Sequence, residues 1–293
     1  MKKWWFAFVV PLILYSCGLK SPSISIMTLN TSIETTKDSL QNWDNKLPLI
    51  TWIIKKESPN IIGFQEVEKR QLVSLTYELS QYACVGEELL SQDIPNEYNP
   101  IFFRKDLFSL IAKSQFWLSE TTEITKSIGL DENYPRFVTW VKLKNNKTGH
   151  IFFVFNTHFS YNSRVASENS ANLLLKKIKL IADNAPVILT GDFNFISNNL
   201  TYKIITESNK LYYPLTDTEH ISASLPTGGN NKTEEKSDYI FVNDYFGVRS
   251  HTTYPFRKDS ICNSSHFPLI VNLFFDLQKT ITKGKKEISP ITN

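Results

Sequence analysis

Several things that mark non-globular proteins are missing from this chain. Glycine (10 residues) and proline (13) are modest in number among 293 residues. No segment repeats, and there are neither heptads nor a Gly/Ser-rich linker, so fibrous, solenoid and low-complexity classes find no support. The three cysteines show no CxxC or Cys/His spacing, and nothing suggests a zinc site. A strong charge of one sign is also lacking, the formal net charge being +3. Proteins that hold nucleic acid mainly through its phosphates carry a clear basic excess, so nucleic acid is disfavoured as a partner, although a local basic groove is compatible with this balance. What remains is a globular chain, 41% hydrophobic, of a length that suits one large domain.

Long apolar runs are scarce too. The run from Trp4 to Tyr15 follows Lys2 and Lys3 and is too short to span a bilayer, the pattern of a signal peptide. It ends in Leu14-Tyr15-Ser16-Cys17-Gly18, which resembles the bacterial lipobox. Residues 1–16 are accordingly expected to be a lipoprotein signal peptide, with Cys17 the lipid anchor and residues 17–23 a tether. An ordinary secretory signal or a short anchor helix is the alternative, and either places the domain outside the cytoplasm, in the cell envelope as a periplasmic or outer-membrane lipoprotein. Loss of Lys2 and Lys3 leaves 30 basic against 29 acidic residues, a nearly neutral mature protein. An oxidising compartment would permit Cys84 and Cys262 to pair, the alternative being two free buried thiols.

Along the chain, Ile24–Asn30 alternates as a strand, and Trp43, Leu47, Ile50 and Ile54 mark one helix face. Further strands are expected at Ile61–Phe64, Pro100–Arg104, Phe108–Leu118, Phe137–Leu143, Ile151–Asn156, Val187–Thr190, Tyr239–Val242, Val248–Thr253 and Phe267–Phe275. Ala171, Leu174, Leu175, Ile178, Ile181 and Ala182 form a second helical stripe. Helices interleaved with hairpin-like strands point to an α/β fold with mixed sheets and helices outside, within a domain spanning 24–276. Residues 277–293 read as a polar tail.

Four apolar runs end in polar residues: Asn30, Gln65-Glu66, Asn156 with His158, and Asp192 with Asn194. Strand C-terminal edges are where α/β folds build ligand sites. Ser237-Asp238-Tyr239 and Ser264-Ser265-His266-Phe267-Pro268 complete a set of carboxylates, imidazoles and amides. Phosphoester hydrolysis needs such a set, to activate water, neutralise phosphoryl charge and stabilise the leaving oxygen. A hard cation takes one or two carboxylates with water and substrate oxygens, which makes Glu66 the natural ligand.

In order, Met-Thr-Leu-Asn30, Gln65-Glu66, Asn156-Thr157-His158, Gly191-Asp192-Phe193-Asn194, Asp238-Tyr239-Ile240-Phe241 and Ser265-His266-Phe267-Pro268 resemble the motifs of the endonuclease/exonuclease/phosphatase superfamily, from Ile24 to Phe275. The resemblance implies a four-layer α/β/β/α sandwich of two mixed sheets flanked by helices. It implies Mg²⁺ or Mn²⁺ held by Glu66 with support from Asn30, and Asp192 aligning or activating water. Asn194 would hold a phosphoryl oxygen. His266 would stabilise the transition state or act as acid/base, oriented by Asp238, and His158 would contact the phosphate. Ser265 departs from the pattern, which usually has Asp there, and this puts the strength of metal binding in doubt.

His158 separates the chain from abasic-site endonucleases, and Phe116–Glu120, Arg136–Trp140 and Arg164 look most like a bacterial hydrolase group within the superfamily. Arg136, Arg164 and Asn156 are candidates for the substrate phosphate, the two arginines being equally readable as surface residues. The expected protein is a monomeric, lipid-anchored phosphoester hydrolase acting on a small or lipid-derived phosphate ester. A secreted nuclease and an inactive phosphate-binding lipoprotein are the alternatives.

Overall fold

A computed structural model describes residues 23–32, 42–86, 97–197, 199–207, 215–221, 236–254 and 266–276, and the backbone alone of 257–258 and 261–262. The signal segment 1–16, Cys17, the tether before Ser23, Ser265, the Cys262 side chain and the tail 277–293 lie outside the described residues.

The chain runs β1 (Ser23–Asn30), α1 (Trp43–Glu57), β2 (Ile61–Gln65), α2 (Lys69–Glu78), β3 (Tyr82–Val85), β4 (Ile101–Arg104), β5 (Phe108–Trp117), β6 (Phe137–Asn145) and β7 (Ile151–His158). It continues through α3 (Arg164–Ala182), β8 (Val187–Asp192), α4 (Leu200–Thr206), β9 (Thr216–Asp217), α5 (Thr218–Ile221), β10 (Asp238–Val242) and β11 (Phe246–Thr253). The two-residue strands β12 (Arg257–Lys258) and β13 (Ile261–Cys262) pair with each other, and β14 (Leu269–Phe275) follows. One six-stranded sheet has the order β11-β14-β1-β2-β4-β3 and the other β5-β6-β7-β8-β10-β9. Both are mixed: β1 runs parallel to β2 and antiparallel to β14, and β7 runs parallel to β8 and antiparallel to β6.

Helix limits follow from local chemistry. Asn42 caps α1 by accepting from the Asn45 amide at 3.0 Å, and Ser58, at φ 47°, closes it before Pro59. Ser163 caps α3 from the Ala166 amide at 3.1 Å. The last strand opens at Leu269, two residues later than its apolar run, because Pro268 supplies no ladder donor. The short elements α2, α4, β3 and β9 carry too little periodicity to stand out in the sequence. β5 is a ten-residue edge strand whose middle is largely exposed, and a register shift interrupts its pairing with β6 between Leu110 and Ala112.

Three apolar slabs account for the four layers. Trp43, Ile50 and Ile54 of α1 pack on Met27, Leu29 and Phe64 outside the first sheet. Leu174, Leu175 and Ile178 of α3 pack on Phe153, Phe155, Leu189 and Phe241 outside the second. Between the sheets, Ile24, Ile26 and Ile61 meet Phe152, Val154, Ile188, Ile240 and Val242. Burial on both faces is why these central strands read as nearly unbroken apolar runs.

The gap between the sheets changes character along its length. On every central strand alternate residues face it, and they become more polar toward one end. Ile26, Thr28 and Asn30 follow one another on β1; Val154, Asn156 and His158 on β7; and Ile188, Thr190 and Asp192 on β8. The middle tier forms a buried hydrogen-bonded seam. Gln65 Nε2 donates to Asn156 Oδ1 at 2.6 Å and to Thr28 Oγ1 at 3.0 Å, and Thr190 Oγ1 donates to Asn156 Oδ1 at 3.0 Å. Asn156 Nδ2 donates to the carbonyls of Phe64 at 2.7 Å and Pro100 at 3.2 Å.

Gly63 lets the two sheets approach at this seam, since a Cβ there would lie 2.3 Å from Thr190 Oγ1 and 2.7 Å from Asn156 Oδ1. Gly63→Ala should therefore lower the unfolding free energy by about 2 kcal/mol or more. Adding Thr190→Ala should recover part of the loss. Urea midpoints of the single and double variants check this, and an unshifted midpoint for Gly63→Ala would mean that the sheets do not close there.

Candidate active site

The charged tier at the end of the gap is the site. His158, Asp192 and Asp238 end or begin three neighbouring strands and lie in one row, His158 paired in register with Asp192 and Asp192 with Asp238. From the facing sheet come Asn30, opposite Gln65, and Glu66, one residue past β2. Glu66 has φ 54°, a strained conformation for a long side chain, and it breaks the alternation that would otherwise turn its carboxylate away from the gap. Asn194 has φ 51°; its amide donates to Asp192 Oδ1 at 3.0 Å, folding the chain tightly back after β8. Between them Phe193 is fully buried against Phe159 and Phe241, which anchors the turn.

Contacts converge on one oxygen. Asp192 Oδ2 accepts from Asn30 Nδ2 at 2.8 Å and lies 3.8 Å from His158 Nε2 and 3.7 Å from His266 Nε2. The same Asn30 amide donates to Glu66 Oε1 at 2.9 Å, while its oxygen accepts from the Ser32 amide at 2.8 Å. Asn30 is thus a brace between two carboxylates that belong to different sheets. His158 Nε2 stands 3.4 Å from Glu66 Oε1, and Asn194 Nδ2 lies 3.1 Å from the same nitrogen while donating to the Phe159 carbonyl at 3.0 Å.

Behind this cluster Arg136 Nη1 lies 3.0 Å from His158 Nδ1 and 3.5 Å from Glu97 Oε2. Two donors, the Arg136 guanidinium and the Asn194 amide nitrogen, face the two ring nitrogens of His158, and Glu66 and Asp192 stand beside Nε2. Burial pushes the Glu97 carboxyl up, but His158 and Arg136 outweigh it and hold it below the usual range. Glu97 is a site neighbour that the sequence reading missed. It sits in a polar loop without motif or periodicity, and only the fold brings it to Arg136.

His266 Nδ1 is 2.6 Å from Asp238 Oδ2. Burial opposes charge on this imidazole, yet the hydrogen bond and charge of Asp238, supported by Asp192 and Glu66, raise it to about 9. Burial pushes Asp238 up to about 6, with the His266 hydrogen bond opposing and the Asp192 charge adding. At neutral pH the pair is an imidazolium held by a carboxylate, a donor whose orientation is set.

Two candidates stand elsewhere. Asn156 is fully buried in the intersheet seam with both amide atoms hydrogen-bonded, so the seam and not a phosphate takes its side chain. Arg164, 74% exposed, pairs with Glu168 on the first turn of α3 at 3.3 Å. Trp117 and Trp140 pack on Phe137 and on Phe153 and Phe155, as core or lining residues. His150 stacks on Phe275, His220 bonds Tyr202 and His251 bonds Thr218, all structural contacts. Lys177 and Lys179 pair with Glu123 and Asp183 on the outer face of α3.

As a donor set for a cation, Glu66, His158 and Asp192 each offer an atom within 4.8 Å of the others, and so do Asp192, Asp238 and His266. Two facing carboxylates suit a hard divalent ion better than a thiolate-loving one. A two-sheet sandwich with carboxylates and imidazoles gathered at one sheet edge defines a class of hydrolases. The family model described as the Endonuclease/Exonuclease/phosphatase family matches residues 48–260. The chain belongs to that family, whose members hydrolyse phosphoesters. A family protein from Bacteroides vulgatus shares 29% identity and superposes with a TM-score of 0.77, covering 87% of this chain and 100% of its own. A mannosyl-6-phosphatase from Bacteroides thetaiotaomicron shares 28% identity at a TM-score of 0.75, over 86% of this chain and 100% of its own. An uncharacterized protein of Acanthamoeba polyphaga mimivirus is 26% identical over 275 residues, 85% of this chain and 99% of the relative.

Replacing Asp238 by Asn should return His266 toward its ordinary pKa, a fall of about one to two units in metal-free protein. The sign is fixed: a raised folded-state value stabilises fully below about 6.5 and is lost as pH rises through about 9. Histidine NMR titration checks it, and an unmoved His266 would show that Asp238 does not govern its charge.

Proposed function

We propose that this protein is an extracytoplasmic, lipid-anchored phosphoester hydrolase that uses Mg²⁺ or Mn²⁺ on a small phosphate ester. The observation that carries the reading is the convergence of Asn30, His158 and His266 on the single oxygen Asp192 Oδ2, with Glu66 braced beside it. Glu66, with Asn30 behind it, would hold the metal, which supplies charge neutralisation at the phosphoryl oxygens. Asp192 accepts the proton of, or aligns, the attacking water. Asn194 and the His266 imidazolium donate to phosphoryl oxygens where charge grows, and Asp238 keeps that imidazolium oriented. His158, held by Arg136 at Nδ1, turns Nε2 toward the phosphate or the leaving oxygen.

Near-neutral charge and the ion-paired lysines of α3 favour a small ester over a polymer. The similarity to a mannosyl-6-phosphatase supports a monoester within that class. Turnover with Mg²⁺ or Mn²⁺ should vanish in EDTA and fall by about 10²-fold or more in His266→Ala and in Asp192→Ala. It should also vary little with ionic strength, whereas steep salt dependence with cleavage of DNA or RNA would identify a nuclease. Variants turning over at the parent rate would end the reading, and ligand binding without turnover at any metal would leave a binding lipoprotein.

Export and anchoring rest on the Lys2-Lys3 start, the short apolar run and the lipobox-like Cys17. In a bacterial host, metabolic fatty-acid labelling and detergent partitioning of the full chain should both be lost in Cys17→Ala. A labelled or membrane-bound variant would show that Cys17 is not the anchor.

A further inference from the structure

Two tyrosines stand in solvent on the segments that carry Arg136 and His158, and no role described so far uses them. Tyr134 is 54% exposed and lies two residues before Arg136; Tyr161 is 72% exposed and lies three residues after His158. Their segments are tied to each other on both sides of the pair. The Ser163 hydroxyl bonds the Asp131 carboxylate, Glu132 is bonded by Ser160, and Arg136 meets His158. Tyr134 is further restrained because the residue before a proline, here Pro135, is confined to extended backbone. The other aromatic side chains of these stretches, Phe137 and Phe159, are buried.

We infer that Tyr134 and Tyr161 form the subsite for the alcohol part of the ester, and that this part begins with a sugar ring. Because the segments of the two tyrosines adjoin the strand ends at His158 and Phe137, a phosphate held between His158 and His266 would direct its alcohol toward them. Aromatic faces take the apolar C–H face of a sugar, and the phenol hydroxyls take its rim. The charge nearby agrees, since the exposed Asp131 carboxylate on the same segment repels polyanions and anionic membranes. Exposed aromatic rings on restrained backbone lose little freedom on binding, the condition for a preformed subsite.

The inference rests on the hydrolase reading only for its kinetic readout. Tyr134→Ala, Tyr161→Ala and the double variant, being surface changes, should keep the parent melting temperature. With a hexose 6-phosphate the double variant should raise KM about tenfold or more at nearly constant kcat, while kinetics on glycerol phosphate, which has no ring, stay within about twofold. Equal losses on both substrates, or no loss on either, would overturn the subsite. So would a loss confined to nucleoside monophosphates, or a variant defective only in binding phosphatidylcholine vesicles. If the unmodified protein hydrolyses nothing, the hydrolase reading fails by itself; calorimetric Kd values for hexose 6-phosphate then decide the subsite, which stands if the double variant binds more weakly and falls if it does not.

Discussion

Everything in the site depends on how closely two sheets can approach at a polar seam. An apolar gap would hold the sheets about ten ångströms apart with no register between them. Here Gln65 and Asn156 hydrogen-bond across the gap, Thr190 steadies Asn156 from its own sheet, and Gly63 removes the side chain that would hold them off. Buried polar groups of this kind are costly unless all are satisfied, so the seam permits one relative position of the sheets. One tier further out, Asn30 can then reach Glu66 and Asp192 with the same amide nitrogen. Two carboxylates from separate sheets, Glu66 and Asp192, are held together by Asn30 and by the buried seam beneath it.

The tiered gap also explains why site and core share strands. β7 and β8 face the gap with an apolar residue, then an amide or hydroxyl, then an imidazole or carboxylate, and β1 runs the same way but ends in the amide of Asn30. The apolar floor beneath the charged tier pushes Asp238 up and opposes charge on His266, but the hydrogen bond and charge of Asp238 outweigh that and raise the imidazole. Glu66 and Asn194 adopt positive φ where this pattern is broken.

Much of this was legible in the sequence. Strand ends at Asn30, Glu66, His158 and Asp192 announced themselves because both-face burial gives continuous apolar runs that stop abruptly at polar residues. Asn156 shows the limit. It lies on the same strand face as His158, and nothing local says that two residues of depth separate a seam from an open site. Glu97 was invisible for the opposite reason, since its partners Arg136 and His158 are distant in sequence and it lies in a loop with no periodicity. Arg136 and Arg164 looked alike in the sequence, and tertiary packing separates them, one buried against an imidazole and the other in solvent.

The interrupted register of β5 has a consequence for how these molecules behave in a crowd. A ten-residue strand at a sheet border offers a row of unused backbone groups to any similar strand, which is how globular proteins begin to polymerise. The shift between Leu110 and Ala112 twists that border, and Lys113 places a charge just beyond it, so a second copy cannot lay a straight strand along it. Molecules concentrated on one surface would meet edge to edge often, and this irregularity keeps such meetings from becoming fibres.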